Sequence, residues 1–385
     1  MSTTSITVLG STGTIGQNTL KILAAHPKRF ALDSLVAGGN VQELIAQAKH
    51  YSPRHAVIAD ASLYTQLKDG LSGSGIEVAA GEQAVLDAAS RPVDITMAAI
   101  VGMAGLKPTL AAVKNGKRIA LANKECLVSA GHLLMDEIKR YGTTLLPVDS
   151  EHNAIFQLLG AAPRDAIEQV TITASGGPFR SWSREQMKAV TPEQAKAHPN
   201  WKMGAKISVD SATLMNKALE LIEAFYLFGF PAAKLNAIIH PQSIVHCLIR
   251  LNDGSVLSQM SNPDMCTPIA CALAWPERIS APVAALDLAQ LGQLQFESVD
   301  ETRFPALRLA RDVMAAGDSA ATVFNAANEI AVKRFLAGEI GFLDIVAMVE
   351  HILHHATHKA LTSLEAVCAC DQETRLLAET LPWNS

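Results

Sequence analysis

Asp149 and Glu151 are two carboxylates placed two residues apart, directly after the apolar run Thr144-Leu145-Leu146-Pro147-Val148. That run reads as a strand, so both acids emerge at its carboxyl end, the edge at which open α/β sheets bind ligands. A second polar cluster runs from Ser211 to Glu220. On a helix, Asn216 and Glu220 stand at i, i+4 and Lys217 and Glu220 at i, i+3, so all three share one face. Their neighbours Leu214, Met215, Leu219, Leu221 and Ile222 are apolar, which implies burial, and buried polar groups need partners. Asp149, Glu151 and Glu220 together offer hard oxygen donors suited to a divalent metal holding an oxygen-rich substrate. The bland alternatives are a solvated strand end whose Asp caps the next helix, and an exposed ion pair worth little.

Other residues fit around that chemistry. Lys124 follows the strand Arg118–Ala122 and so reaches the same sheet edge as Asp149, where it could donate to a substrate oxygen. Ser175-Gly176-Gly177 follows another strand and could bind an anion with hydroxyl and backbone N–H groups. With Ser211, Asn216 and Lys217 it would make a phosphate pocket. His198 and Trp201 lie in a Gly/Pro-flanked loop that suits a water-excluding lid. A plain loop histidine and a partly buried tryptophan would look the same. His240 and His246 fall in strand-like segments and read as structural.

A nucleotide site is signalled at the start of the chain. Gly10-Ser11-Thr12-Gly13-Thr14-Ile15-Gly16 follows the first strand and opens the first helix. The GxxGxxG spacing lets backbone N–H groups approach a pyrophosphate at a helix N-terminus. The second strand ends in Ala37-Gly38-Gly39-Asn40. It lacks the acidic residue that NAD-preferring sites carry roughly 20 residues past the glycines. Asp33 lies too early in that strand. A 2′-phosphate is therefore permitted, although no arginine stands ready to hold it.

The elements that position these groups come in three styles. Residues 1–150 alternate strand and helix as a doubly wound, Rossmann-like parallel sheet does. Residues 151–278 read as an α+β catalytic domain, with strands at 169–173, 237–240, 243–250 and 255–260 and a long helix at 211–228. The pair before 260 is joined by the hairpin turn Asn252-Asp253-Gly254. Residues 279–304 read as a linker, and 305–385 as a helical bundle broken near Gly317-Asp318 and Gly338. The fold class is thus α/β with an added α+β domain and helical domain.

Composition sets the class. The chain has 385 residues, with 49% hydrophobic residues and a net charge of −5. That length is enough for two or three domains. The absence of a basic block argues against a nucleic-acid partner. No apolar run reaches membrane-spanning length, and the N-terminus carries no signal-peptide pattern. The six cysteines are scattered without a CxxC pair, as expected of reduced thiols in a cytoplasmic protein.

Taken together, the motifs resemble the 1-deoxy-D-xylulose 5-phosphate reductoisomerase family. They are GSTGTIG at 10–16, AGGN at 37–40, AAIVGMAGL at 98–106, LANKE at 121–125, LLPVDSEHNAIFQ at 145–157 and ASGGPF at 174–179. HPNWKMGAKISVDSATLMNKALELIEA at 198–224, HPQSIVH at 240–246 and NAANE at 325–329 complete the set. The resemblance implies a skeletal rearrangement of 1-deoxy-D-xylulose 5-phosphate, then NADPH reduction to 2-C-methyl-D-erythritol 4-phosphate, in the non-mevalonate isoprenoid route. It implies Mg²⁺ or Mn²⁺ on Asp149, Glu151 and Glu220. Lys124 and Ser150 would meet the substrate backbone, and Ser175, His198, Ser211, Asn216 and Lys217 its phosphate, under Trp201. NADPH would lie on Thr12, Gly13, Thr14, Ile15, Gly38, Gly39, Asn40, Asn123, Glu125 and Gly204. A homodimer and inhibition by the phosphonate fosmidomycin are also implied. Two positions depart from the family pattern: Cys266, where relatives commonly carry Arg, and Gly39, where some carry a basic side chain. The competing readings are another two-domain NADP-dependent reductase, which needs no three-acid metal site, and a non-catalytic NADP sensor.

Overall fold

The computed structural model describes residues 3–115, 117–198, 204–317 and 319–383. The chain forms two compact units. The first comprises Met1–Cys126, Leu134–Phe156 and Asp264–Ala284, and the second Leu127–Leu133, Gln157–Pro263 and Ala285–Ser385. The second unit therefore takes in both the α+β segment and the C-terminal helices, and residues 264–284 join the nucleotide-type unit.

The first unit is built on seven parallel strands: β1 (Thr4–Leu9), β2 (Phe30–Ala37), β3 (His55–Ile58), β4 (Glu77–Ala80), β5 (Ile95–Ala98), β6 (Arg118–Leu121) and β7 (Thr144–Pro147). Their order is β4-β3-β2-β1-β5-β6-β7. The chain reverses direction across the sheet between β1 and β5, which is the topological switch point of such sheets. All four residues of β5 are buried, as are three of four in β6. Helices cover both faces of a parallel sheet, so its strands bury both sides. β4 and its flanking helices Tyr64–Gly70 and Glu82–Ala89 were not anticipated from the sequence. The outer strand β4 is only half-buried and short, so its apolar signal is weak.

The helix Cys266–Ala274 also belongs to this core. It is apolar on every side, as a fully buried helix is. Ile269 and Leu273 join the cluster formed by Ile6, Val8, Leu146 and Val148. Cys266 begins this helix, and its N–H donates to Asp264 Oδ1 at 2.8 Å. Burial, helped by the neighbouring Asp264 charge, pushes its thiol up to about 11. The departure at 266 is thus an inert packed thiol. None of the six cysteines forms a disulfide.

The second unit holds β8 (Ile167–Ala174), β9 (Leu235–Ile239), β10 (Val245–Leu251) and β11 (Val256–Met260), ordered β11-β10-β8-β9. β8 and β9 are parallel and the remaining pairs antiparallel. The expected turn at 252–254 closes the β10–β11 hairpin, with Gly254 at φ +86°. Four helices at Ala306–Ala316, Ala320–Leu336, Asp344–His355 and Leu364–Thr380 form the C-terminal part. The first two pack on the helix Met215–Phe228, which explains why this part is one unit with the α+β segment. The expected linker is mostly irregular but anchored: Ile239 pairs with Glu297, and His240 stacks on Phe296 at 4.8 Å. Asp318, expected at a helix break, lies outside the described residues. Among the described residues, no helix is long and apolar enough to cross a membrane.

Candidate active site

The glycine loop sits at the switch point of the first unit. The N–H groups of Gly10 and Ser11 both donate to Val36 O, at 2.9 and 2.8 Å, tying the loop to the end of β2. Gly10 has φ +86°, and a Cβ there would meet Ala99 O at 2.5 Å, so the loop lies hard against the end of β5. Gly13 precedes the helix Thr14–Ala25, and no side chain caps that N-terminus. Thr12, Gly13, Thr14 and Ile15 thus present a partly exposed turn with helix N–H donors available to an anion. Gly38, Gly39 and Asn40 are exposed at the end of β2, with open space around both glycines. Asn40 Oδ1 also accepts from Glu43 N at 3.3 Å, capping the next helix. Asp33 is committed elsewhere. Burial would push its carboxyl up, but Arg91, 2.5 Å away, and Ser34 more than offset this and hold it below the usual range.

Asn123 stands just past the end of β6 with its side chain turned inward. Its side chain is buried, accepting from Cys126 N at 3.1 Å and donating to Gly102 O at 2.9 Å. It therefore caps the helix Lys124–Tyr141 and pins the turn after β5. Any contact with a cofactor would fall to its backbone. Glu125 follows, buried in the first helical turn.

Asp149 and Lys124 meet because β6 and β7 are neighbours, with Leu121 opposite Pro147. Both chains leave the same edge, and Lys124 Nζ forms an ion pair with Asp149 Oδ2 in a largely buried setting. Both acids lie just past the carboxyl end of the strand, as its sequence suggested, but at the start of the next helix and not on the pleat. The strand ends at Pro147, and Asp149 is the N-cap residue of the helix Ser150–Leu159, its carbonyl accepting from Asn153 N at 2.8 Å. Glu151 lies in the first turn, and the Asp149 and Glu151 carboxylates come within 4.8 Å of one another. The helix dipole stabilises both negative charges there. Ser150 Oγ donates to Glu151 Oε2 at 2.5 Å.

In the second unit the long helix expected from Ser211 is two helices, Ala205–Ala212 and Met215–Phe228. The break is at Leu214, which has φ +61° although it is not glycine. No breaker residue announces it, so the sequence pattern could not show it. Gly204 precedes the first of these helices, and its carbonyl accepts from Ser208. The predicted face on the second helix is real: Asn216 Nδ2 and Lys217 Nζ both donate to the Glu220 carboxylate. Glu220 is 1% exposed and Lys217 4%. Such a buried pair is expensive and persists only when each charge is matched.

The Ser175 loop lies directly against this break. Gly177 has φ +67°, and a Cβ there would meet Ser211 O at 2.8 Å. Gly177 N donates to Ser175 Oγ at 3.2 Å, and Ser175 Oγ is 2.9 Å from His198 Nε2. Burial pushes His198 down to about 4, so its ring is neutral at neutral pH. Ser175, His198, Ser211, Asn216, Lys217 and Glu220 thus belong to one unit, with hydroxyl, imidazole, amide and ammonium donors. Trp201 lies outside the described residues.

Family models cover most of the chain. One described as 1-deoxy-D-xylulose 5-phosphate reductoisomerase matches residues 6–131, and two for C-terminal domains of the same enzyme match 145–228 and 260–377. The reductoisomerase of Rhodospirillum centenum is 54% identical over 377 residues, spanning 98% of this chain and 94% of the relative. That of Zymomonas mobilis is 53% identical over 376 residues, spanning 98% and 97%. This chain belongs to the 1-deoxy-D-xylulose 5-phosphate reductoisomerase family. It is accordingly an enzyme, an NADPH-dependent oxidoreductase. The Zymomonas mobilis reductoisomerase solved with NADPH superposes with a TM-score of 0.93 at 51% identity, covering 98% of both chains. A further reductoisomerase, solved with NADPH, fosmidomycin and magnesium, gives 0.92 at 42% identity over 97% of both.

The reductoisomerase motifs also contain residues whose work is internal, which sequence reasoning did not single out. Asp210 is 1% exposed, paired with Lys206 at 2.9 Å and accepting from Asn328 Nδ2 at 2.9 Å. This ties the helix that carries Ser211 to the NAANE segment at 325–329. An Asp four residues after Lys206, on one helix face, is the sequence signal for this pair. His240 and His246 act structurally, bonded to Gln295 O and Ser261 Oγ.

Proposed function

We propose that this chain rearranges and reduces 1-deoxy-D-xylulose 5-phosphate to 2-C-methyl-D-erythritol 4-phosphate, using NADPH and a divalent ion. The observation that carries the reading is the full-length match to reductoisomerases, with Glu151, Ser211, Asn216, Lys217 and Glu220 on helices. Asp149, Glu151 and Glu220 supply the hard carboxylate oxygens that Mg²⁺ or Mn²⁺ takes. Such an ion polarises a substrate carbonyl and acidifies a neighbouring hydroxyl, which migration of a carbon–carbon bond requires.

The chain's own groups do the rest. Lys124, now held by Asp149, donates to a substrate oxygen once the acid is otherwise engaged. Ser150 adds a hydroxyl beside it. Ser175, His198, Ser211, Asn216 and Lys217 bind the phosphate, and that remote binding energy supports closure over the reacting carbons. The family resemblance assigns Trp201 to a lid that would exclude water. The uncapped helix N-terminus at Gly13, Thr14 and Ile15, with Thr12, receives the NADPH pyrophosphate. Gly38, Gly39 and Asn40 leave room for the 2′-phosphate without a repelling carboxylate. Asn123 through its backbone, Glu125 and Gly204 complete the nucleotide contacts. NADPH provides the hydride for the final reduction. Action as a homodimer in the cytoplasm belongs to the same reading.

The test is NADPH oxidation on adding the phosphosugar. Oxidation should stop on chelation and return with Mg²⁺ or Mn²⁺. Turnover that survives chelation would remove the metal from the reaction and favour an ordinary NADPH-dependent reductase.

A further inference from the structure

The helix Asp344–His355 ends with two exposed histidines one turn apart, His351 and His355. At i, i+4 they share a face. Their rings stack with centroids 4.2 Å apart and planes 29° apart. His355 Nδ1 lies 2.8 Å from His351 O. A carbonyl only accepts, so in the neutral ring the tautomer has the proton on Nδ1 and the lone pair on Nε2. Histidines that ligate metals are commonly held this way, with one ring N–H on a carbonyl that fixes tautomer and orientation. Two imidazole nitrogens bound at roughly 2.0–2.1 Å to one ion stand roughly 3–3.4 Å apart, so the two exposed rings would turn from the stack until their lone pairs converge on the ion.

We propose that His351 and His355 form a second metal site, specific for a borderline transition-metal ion such as Ni²⁺, Cu²⁺ or Zn²⁺. It is distinct in residues and in donor type from the acids assigned to the reaction. Imidazole favours these ions, whereas carboxylates and carbonyls suit Mg²⁺ and Mn²⁺, so the two sites sort ions by ligand softness. His354 is the internal comparison. It is exposed on the same turn. It points about 100° away from His355 around the helix. Trp383 supplies a reporter, because its ring packs edge-on to His351 at 5.9 Å.

The experiment uses the full chain in saturating Mg²⁺, titrated with Ni²⁺ by calorimetry and with Cu²⁺ by tryptophan emission. The expected result is one Ni²⁺ bound per chain, and quenching by Cu²⁺. His351→Asn and His355→Asn should each weaken binding by roughly tenfold or more, because one imidazole loses the effective concentration of the second. His354→Asn should bind like the parent. All three variants should keep full Mg²⁺-dependent turnover, which also shows that they fold. Absence of Ni²⁺ binding in the parent would overturn the proposal. So would parental binding in His351→Asn and His355→Asn, or an equal loss in His354→Asn, which would mark a diffuse histidine surface.

Discussion

Glu220 is held by Asn216 and Lys217 on a largely apolar helix, and its carboxylate is the one acid of the proposed set that is fully buried. Glu220→Gln keeps the shape and removes the charge. Turnover should fall by about 10²-fold or more, the scale of losing one electrostatic group at a reacting centre. NADPH binding, measured by fluorescence titration, should stay close to the parent's. Parental turnover would take Glu220 out of the metal set. His198 gives a prediction in pH. Burial sets it at about 4 in the folded chain. The ordinary imidazole value is higher, about 6.5. The unfolded chain therefore binds more protons between those values, and stability from the neutral ring is full above the ordinary value and lost as pH falls toward the folded one. Melting curves of His198→Gln should flatten over that window relative to the parent, whereas parallel curves would contradict it. At this scale the sequence was readable where a local period decides the geometry. The i, i+3 and i, i+4 spacing of Asn216, Lys217 and Glu220 needed only the helix. Asn123 was not readable in the same way, because a cap that turns inward depends on where Gly102 and Ile100 fold back.

At the scale of elements, the phosphate-binding candidates rest on two loops pressed together. Leu214 adopts a left-handed conformation. That costs roughly 1–2 kcal/mol. Its side chain is buried. Burial of a leucine offsets the strain with about 1.5–3 kcal/mol. The break between the two helices is therefore maintained by packing rather than by a turn residue, which is why the sequence showed one long helix. Gly177 faces that break from β8. In Gly177→Ala, the new Cβ would meet Ser211 O at 2.8 Å and Ala212 Cα at 2.9 Å, both backbone atoms with little room to yield. The expected outcome is a rise of roughly tenfold in KM for the phosphosugar, from about 1–2 kcal/mol of strain at positive φ. KM for NADPH should not change. A variant that raised both equally, or neither, would separate the loop from the phosphate. The strand that delivers Asp149 shows the complementary case. Its existence was legible from the apolar, β-prone run at 144–148, yet its end was not. The helix begins at Ser150 and captures Asp149 as its cap, and side-chain geometry there follows the helix N-terminus and not the pleat.

For the whole molecule, alternation of strand and helix in the N-terminal segment was enough to give the parallel sheet, and the glycine loop fell at its switch point. The return of residues 264–284 to that unit was not legible, because an apolar helix such as Cys266–Ala274 states that it is buried without stating in which core. The C-terminal helices likewise read as a separate bundle by pattern. Their packing on Met215–Phe228 makes them part of the unit that carries Ser175, Ser211 and Glu220. The central claim concerns the product: a reductase acting directly on the ketone and a reductoisomerase both oxidise NADPH. We would run the reaction with NADPH deuterated at the transferred hydrogen and identify the product by mass and carbon NMR. The account predicts 2-C-methyl-D-erythritol 4-phosphate, with a branched skeleton and one deuterium on the new primary alcohol carbon. A straight-chain deoxypentitol phosphate carrying deuterium at a secondary carbon would contradict it.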